Sequence, residues 1–188
     1  PSYELVSLSL HEAEPGHHFQ NALAVENTGL PGFQRFGWVT AFGEGWALYA
    51  ETLGKPMGLY DDPAQYLGYL HNRLFRAIRL VVDTGMHAKG WTREQAIRYF
   101  MENSPNAEAD ATAETERYIA WPGQALAYLS GALEIQRLRE ESAATLGPRF
   151  DLRGFHDEVL VDGIVPLEVL GGKIHRWTDA HADAHPAR

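Results

Sequence analysis

The ten residues from His11 to Gln20, His-Glu-Ala-Glu-Pro-Gly-His-His-Phe-Gln, constrain this chain more than any other stretch. Three histidines and two glutamates fall between His11 and His18, in an otherwise apolar setting. Leu5, Leu8 and Leu10 precede them; Phe19, Leu23 and Val25 follow. Charge placed in an apolar helix costs free energy unless it is paired or binds a metal. His11-Glu12 has the form of the opening half of a helical zinc motif, in which two imidazoles bind the ion and the Glu beside the first activates water. The second imidazole of that motif sits four residues on, returned to the same face at about 100° per residue. Here that position is Pro15, and the next imidazoles are His17 and His18, beyond Pro15-Gly16. Proline removes a helix hydrogen bond and glycine accepts unusual dihedrals, so a local bulge is expected. A two-residue bulge carries His17 to the place of the second ligand. In an unbroken helix His18 shares the face of His11 but lies about 10 Å along the axis, too far for one ion. The competing reading of the stretch is a polar helix end with solvated histidines.

At 188 residues the chain is one domain, or one substantial part of a larger one. A 45% apolar fraction is that of a globular protein. The net charge of −9 argues against nucleic acid or an anionic membrane as partner, since both reward basic surfaces. No apolar run approaches the roughly 20 residues of a membrane span. Cysteine is absent, so any zinc must use histidine and carboxylate. That absence fits either redox compartment and leaves the location open. The sequence opens without Met or a signal peptide and runs directly into an apolar helical pattern, so a missing N-terminal part is expected.

The pattern predicts only helices. Residues 4–27 read as a helix interrupted near Pro15-Gly16, followed by a turn at Leu30-Pro31-Gly32. Residues 42–53 form a second, closed by Gly54 and Pro56. Asp62-Pro63 opens a long third helix to about His87, with Leu67, Leu70, Leu74, Ile78 and Val81 or Val82 as its apolar face. A capping box at Thr92–Gln95 opens a fourth through Met101. A fifth follows Ser104-Pro105 to about Ile119, and Trp121-Pro122-Gly123 breaks the chain. Helices over 124–146, 151–160 and 166–177 complete the series, and the tail over 179–188 is expected to fray. No period-two alternation appears, so no sheet is expected. Nor is there an internal repeat, or a linker that divides residues 1–188 into domains.

A zinc centre of this type needs a third ligand, commonly a carboxylate on the next helix. Glu44, flanked by Gly43 and Gly45, is the candidate; as a first-turn acid it could instead simply complement the helix dipole. Glu51, seven residues on, could orient a ligand histidine. A tetrahedral oxyanion needs a donor, and Tyr118 and Tyr128 bracket the Pro122-Gly123 break. Arg117 could clamp a substrate carboxylate. His18 and His87 are further substrate-side candidates, although His87 near a helix end also fits a dipole cap. His156 is either a substrate group or bonded to a neighbouring carboxylate. His71, His175, His181 and His185 read as surface residues, and Arg73, Arg76 and Arg79 as a solvated or salt-bridged stripe.

These segments resemble a bacterial family known only as a domain of unknown function, number eight-eight-five. The likeness runs through residues 11–20, 44–51 (Glu-Gly-Trp-Ala-Leu-Tyr-Ala-Glu), 79–87 (Arg-Leu-Val-Val-Asp-Thr-Gly-Met-His), 122–128 (Pro-Gly-Gln-Ala-Leu-Ala-Tyr) and 155–157 (Phe-His-Asp). It covers essentially the whole chain. It implies the C-terminal, active-site half of a longer helical protein of zincin metallopeptidase type. A more distant likeness is to the thimet-oligopeptidase and Taq-carboxypeptidase groups, whose C-terminal tyrosine segment is similar to Tyr128-Leu-Ser-Gly131. It implies Tyr128 as the oxyanion donor. Those groups carry the plain five-residue motif, which Pro15 interrupts here.

The expectation is an all-α, multi-helical, zincin-like catalytic domain. His11, His17 and Glu44 would bind Zn²⁺, Glu12 would be the general base, and a peptide or small amide would lie against the missing N-terminal half. The alternatives are a non-catalytic helical module with a degenerate metal site, and a metal-dependent hydrolase of a non-peptide amide or ester.

Overall fold

The computed structural model describes residues 2–183, and every regular element among them is helical. A short 3₁₀ turn leads into α1 (Leu5–Glu12) and α2 (His17–Glu26). The chain continues through α3 (Gly32–Phe36), α4 (Thr40–Leu53), α5 (Pro63–Lys89), α6 (Arg93–Asn103) and α7 (Glu108–Ala120). It ends with α8 (Ala127–Leu146), α9 (Leu152–Leu160) and α10 (Leu167–Asp183). No helix among the described residues is long and apolar enough to cross a membrane.

Helix ends follow local chemistry. Asp62 accepts from the Ala64 N–H ahead of Pro63 in the first turn of α5, and that helix stops at Gly90 in the left-handed region. Thr92 and Gln95 form the reciprocal cap of α6. Three elements differ from expectation. Four residues, Ala13 to Gly16, separate α1 from α2, so the first helix is broken, not bulged. α3 appears where a turn was expected; at five residues it is too short to show a period, and its Phe33 and Phe36 stay exposed. α10 reaches Asp183, past the point where fraying was expected, while residues 184–188 and with them His185 lie outside the described residues.

α4 is the centre of the molecule. From Phe42 to Leu53 only Glu44 and Thr52 escape full burial, so this helix is surrounded, not amphipathic. Its apolar side joins Leu129, Ile135 and Leu138 of α8, Phe155 and Val159 of α9, and Leu170 and Ile174 of α10 in the larger core. A second core sets Ile78 and Val82 of α5 against Phe100 of α6 and Ala111 and Tyr118 of α7. The apolar stripe of α5 is only partly used. Ile78 and Val82 are buried, but Leu67, Leu70, Leu74 and Val81 are exposed, contrary to the periodicity.

α4 and α8 touch backbone to backbone at Gly45 and Gly131. A Cβ on Gly131 would stand 1.9 Å from the Ala41 carbonyl oxygen and 2.7 Å from the Gly45 Cα. Neither helix can yield without dragging core side chains off their rotamers. Gly131→Ala should therefore cost at least about 1–3 kcal/mol in urea unfolding. Gly171→Ala in α10 is the matched control, because its methyl would meet only the Glu134 carboxylate at 3.7 Å. That change should be neutral or stabilising, by up to about 1 kcal/mol.

Candidate metal centre

Glu44 and Glu51 are the two carboxylates of α4, and burying them requires partners. α1 supplies partners for the deeper one. Ser7 and His11 are four residues apart on one face of α1. The Ser7 hydroxyl donates to Glu51 Oε2 at 2.6 Å, and His11 Nδ1 donates to Glu51 Oε1 at 2.8 Å. This fixes the histidine's tautomer and aims Nε2 at Glu44, 3.7 Å from its Oε2.

The break after α1 brings the second imidazole. Gly16 packs on the backbone it has just left: a Cβ there would lie 1.9 Å from the His11 carbonyl oxygen. Trp46 of α4 donates its indole N–H to the Pro15 carbonyl at 2.8 Å, tying the connection down. α2 then starts at His17, whose Nε2 lies 3.3 Å from Glu44 Oε2 and whose ring meets that of His11 edge-on, centroids 4.9 Å apart. One donor atom each from His11, His17 and Glu44 lies within 4.8 Å of the others. Zinc at about 2.0–2.2 Å from each ligand needs donor separations of about 3.3–3.6 Å. Two of the distances are near that already, and a small ring rotation closes the set. The donor chemistry, two imidazoles and a carboxylate without thiolate, also suits zinc. His17 Nδ1 is buried with no hydrogen-bond partner among the described residues, as are both amide atoms of Gln20 one turn on.

Without metal the cluster is an ion-pair network. Burial opposes charge on His11, but the bonds to Glu44 and Glu51 override it and raise its pKa to about 9. Burial likewise opposes the Glu44 charge, and its bonds to His11 and His17 prevail, lowering it to about 2. The cluster thus holds a proton where a metal would sit.

Other candidates are sorted by the same geometry. His17, not His18, joins the cluster; His18 is exposed on the far side of α2. Glu12 is exposed and makes no hydrogen bond or ion pair among the described residues. Tyr128 is buried, and its hydroxyl accepts from Arg117 at 3.4 Å and from Gln124 at 3.2 Å, leaving its own proton free to donate. Tyr118 does not fit the oxyanion role. Its hydroxyl donates to Glu114 at 2.7 Å and accepts from Arg79 at 3.0 Å, so its proton is committed. His87 donates through Nε2 to the Tyr118 carbonyl at 3.0 Å, a bridge from α5 to the end of α7 and not a substrate contact.

Sequence reasoning missed or misplaced several groups. His71 is half-buried and bonded to Glu4 and Asn106, not a free surface residue. Of the stripe expected to be solvated or salt-bridged, Arg79 takes the second form, buried with its guanidinium on Glu114. Arg76 lies over the Tyr128 ring at 4.9 Å, near enough to the cluster for its charge to act on His11. Its period within α5 was visible, but nothing in a periodic arginine stripe says which member turns inward. A cavity of about 570 Å³ is lined by residues such as Tyr49, Lys55, Arg73 and Arg139 and includes none of the three donors.

These features define an all-α protein with a histidine–carboxylate cluster where α1, α2 and α4 meet. The chain belongs to the family described as bacterial protein of unknown function (DUF885), whose model matches residues 1–174. It is similar to the crystal structure of a candidate lipoprotein from Colwellia psychrerythraea, with 51% identity and a TM-score of 0.93, covering 96% of this chain and 31% of that one. A candidate lipoprotein of unknown function from Shewanella oneidensis is 31% identical with a TM-score of 0.83, covering 90% of this chain and 31% of that one. The chain therefore spans less than a third of the length of either structure. No curated protein matches.

His156 is bonded to Tyr49 and not to the neighbouring carboxylate of Asp157. Its Nε2 accepts from the Tyr49 hydroxyl at 2.8 Å, and that hydroxyl in turn accepts from Arg139 at 3.2 Å. Burial, aided by the Arg139 charge, lowers its pKa from 6.5 to about 4. A folded state that refuses a proton the unfolded chain accepts has its full stability above pH 6.5 and loses it as pH falls through 4. The stability advantage of the wild type over His156→Gln, read by urea unfolding, should therefore narrow steadily between pH 6.5 and pH 4.

Proposed function

We propose that this protein carries the catalytic centre of a zinc-dependent hydrolase, most simply a metallopeptidase. One observation carries the reading. His11, His17 and Glu44 come from three different helices yet turn one donor atom each to a common point, with Glu51 fixing His11 from behind. A chain that needed only to neutralise Glu44 could do so with one histidine.

When bound, zinc supplies Lewis acidity to water and to the scissile carbonyl. His11 and His17 hold it as neutral ligands, which requires His11 to give up the proton its carboxylate neighbours favour. Glu12, next in sequence to a ligand and unpaired, takes a proton from the attacking water and passes it to the leaving nitrogen as the C–N bond breaks. Tyr128 donates its free hydroxyl proton to the oxyanion, while Arg117 and Gln124 hold its oxygen in place. A peptide or small amide is the substrate class this acid–base pairing serves.

Protein purified without a polyhistidine tag should contain near-stoichiometric zinc by elemental analysis, and His11→Ala and Glu44→Ala should lose it. Glu12→Gln should keep the zinc and lose peptidase activity by about 10²–10⁴-fold. Zinc retained in an inactive wild type would instead mark a metal-binding module, and cleavage of esters or non-peptide amides alone would move the substrate class.

Glu51→Gln should weaken zinc binding by about 10–100-fold, because the orienting charge behind His11 is gone. Zinc added to the metal-free protein at pH 7 should release protons, since His11 is held protonated up to about pH 9. Calorimetry in buffers of different ionisation heat measures that release, and Glu51→Gln should reduce it.

A further inference from the structure

Three arginines surround Tyr128. Arg76 and Arg79 each place a guanidinium 4.9 Å from its ring centroid, and Arg117 donates to its hydroxyl. One carboxylate answers them: Glu114 binds Arg79 at 2.8 Å and Arg117 at 3.6 Å. Arg76 has no hydrogen bond or ion pair among the described residues, and its Nε is buried without a partner. Arg79 is 3% exposed, and its Nη1 is also buried and unpartnered. In a chain of net charge −9, with carboxylates to spare, leaving the Arg76 guanidinium without a counter-ion is costly.

The place of Arg76 gives that imbalance a use. It packs on Phe75 and Tyr128, so its planar fork is held by stacking and not by a counter-ion. Its terminal nitrogens make no bond and are not among the buried unpartnered atoms, so they remain reachable. α5 runs alongside α1: Gly68 packs on the Tyr3 carbonyl and Asn72 donates to the Ser7 hydroxyl at 3.4 Å, so Arg76, one turn on, comes level with His11. Burial, then the Arg79 charge, lowers its pKa.

We propose that Arg76, backed by Arg79 and Arg117, is the subsite for a free carboxylate on the substrate, adjacent to the scissile amide. Resting on the hydrolase reading, this narrows the substrates to peptides or N-acyl amino acids cleaved next to a C-terminal carboxylate. The guanidinium fork accepts a carboxylate through two parallel hydrogen bonds, a geometry an amide does not satisfy. Tyr128, whose ring carries Arg76, then offers its hydroxyl proton to the carbonyl next to that carboxylate.

The test uses the zinc-loaded protein at its natural length. The substrates are a mixed-sequence pool of N-acetylated pentapeptides, half with a free C-terminal carboxylate and half amidated. Wild type should cut the free acids at least tenfold faster in kcat/KM, at a bond close to the C-terminus. Arg76→Gln should remove that preference, mainly through KM, and Arg76→Lys should restore part of it. A binding arm independent of turnover titrates 2-benzylsuccinate, which carries two carboxylates, into wild type and both variants. Affinity should fall at least tenfold in Arg76→Gln. Equal cleavage of acids and amides by wild type, unchanged 2-benzylsuccinate affinity in Arg76→Gln, or an equal loss of kcat on both pools would overturn the subsite. The last outcome would make Arg76 an oxyanion group. Arg76-dependent binding with no cleavage of any peptide would leave the subsite standing and defeat the peptidase reading instead. If Arg76→Gln does not fold, the comparison of acids with amides on wild type still decides.

Discussion

The interaction on which the rest depends is the grip of Glu51 on α1. Glu51 is 2% exposed inside α4, and among the described residues its carboxylate is met by Ser7 and His11. Its backbone carbonyl is held in turn by the Tyr60 hydroxyl at 2.9 Å. Removing either side of such a buried pair leaves an uncompensated charge, at a cost of about 3–5 kcal/mol. One carboxylate therefore docks α1, chooses the tautomer of His11 and sets the direction of its free nitrogen. The cluster is not added to a finished fold, because the contact that seats the first helix is the contact that orients His11.

The second imidazole arrives by a different device. Nothing in the helix periodicity brings His17 to His11. The chain leaves α1, packs Gly16 against the His11 carbonyl, and restarts at His17 with Trp46 holding the Pro15 carbonyl. Proline and glycine were legible as a disruption, but a bulge and a full break are not distinguished by composition. What separates them is the Trp46 hydrogen bond, a contact 31 residues away. Similar reasoning explains the other outcomes. Helix ends with local caps, at Asp62, Thr92 and Gly90, could be read because their chemistry is local. Glu51 could be placed behind a histidine because seven residues on α4 return to the same face. The Glu114–Tyr118 bond is an ordinary i,i+4 pair, but the roles of Tyr118 and His156 also depended on Arg79, Tyr49 and Arg139, which lie on other helices, and no spacing rule supplies those.

The arginines of α5 mark where pattern reading is weakest. Arg73, Arg76 and Arg79 recur every three residues, which reads as one solvated or salt-bridged stripe. In the fold the same face turns from partly exposed to buried along its length, while Leu67, Leu70 and Leu74 stay exposed. Up to Leu74 the apolar stripe thus stands outside, and only from Ile78 onward is it buried, beside the buried Arg79. Such exposure costs apolar burial, about 25 cal/mol for each Å² left in water. It is tolerated only if something else is obtained at that position or if other chain covers the leucines. The matched structures are each more than three times as long as the part this chain covers.

Charge is what organises the interior on either side of α5. Toward α4 lie Glu44 and Glu51 with their histidines; toward α7 lie Arg79 and Arg117 with Glu114 between them. Arg76 stands at the boundary, influenced by both groups and bonded to neither. A positive fork next to a negative, metal-competent cluster would collapse into a direct ion pair if the side chains could reach. Here stacking on Phe75 and Tyr128 holds it back. Because the fold keeps these opposite charges apart instead of letting them cancel, both remain available to a third party. A molecule with a carboxylate at one end and a polarisable carbonyl a few atoms away satisfies the two at once.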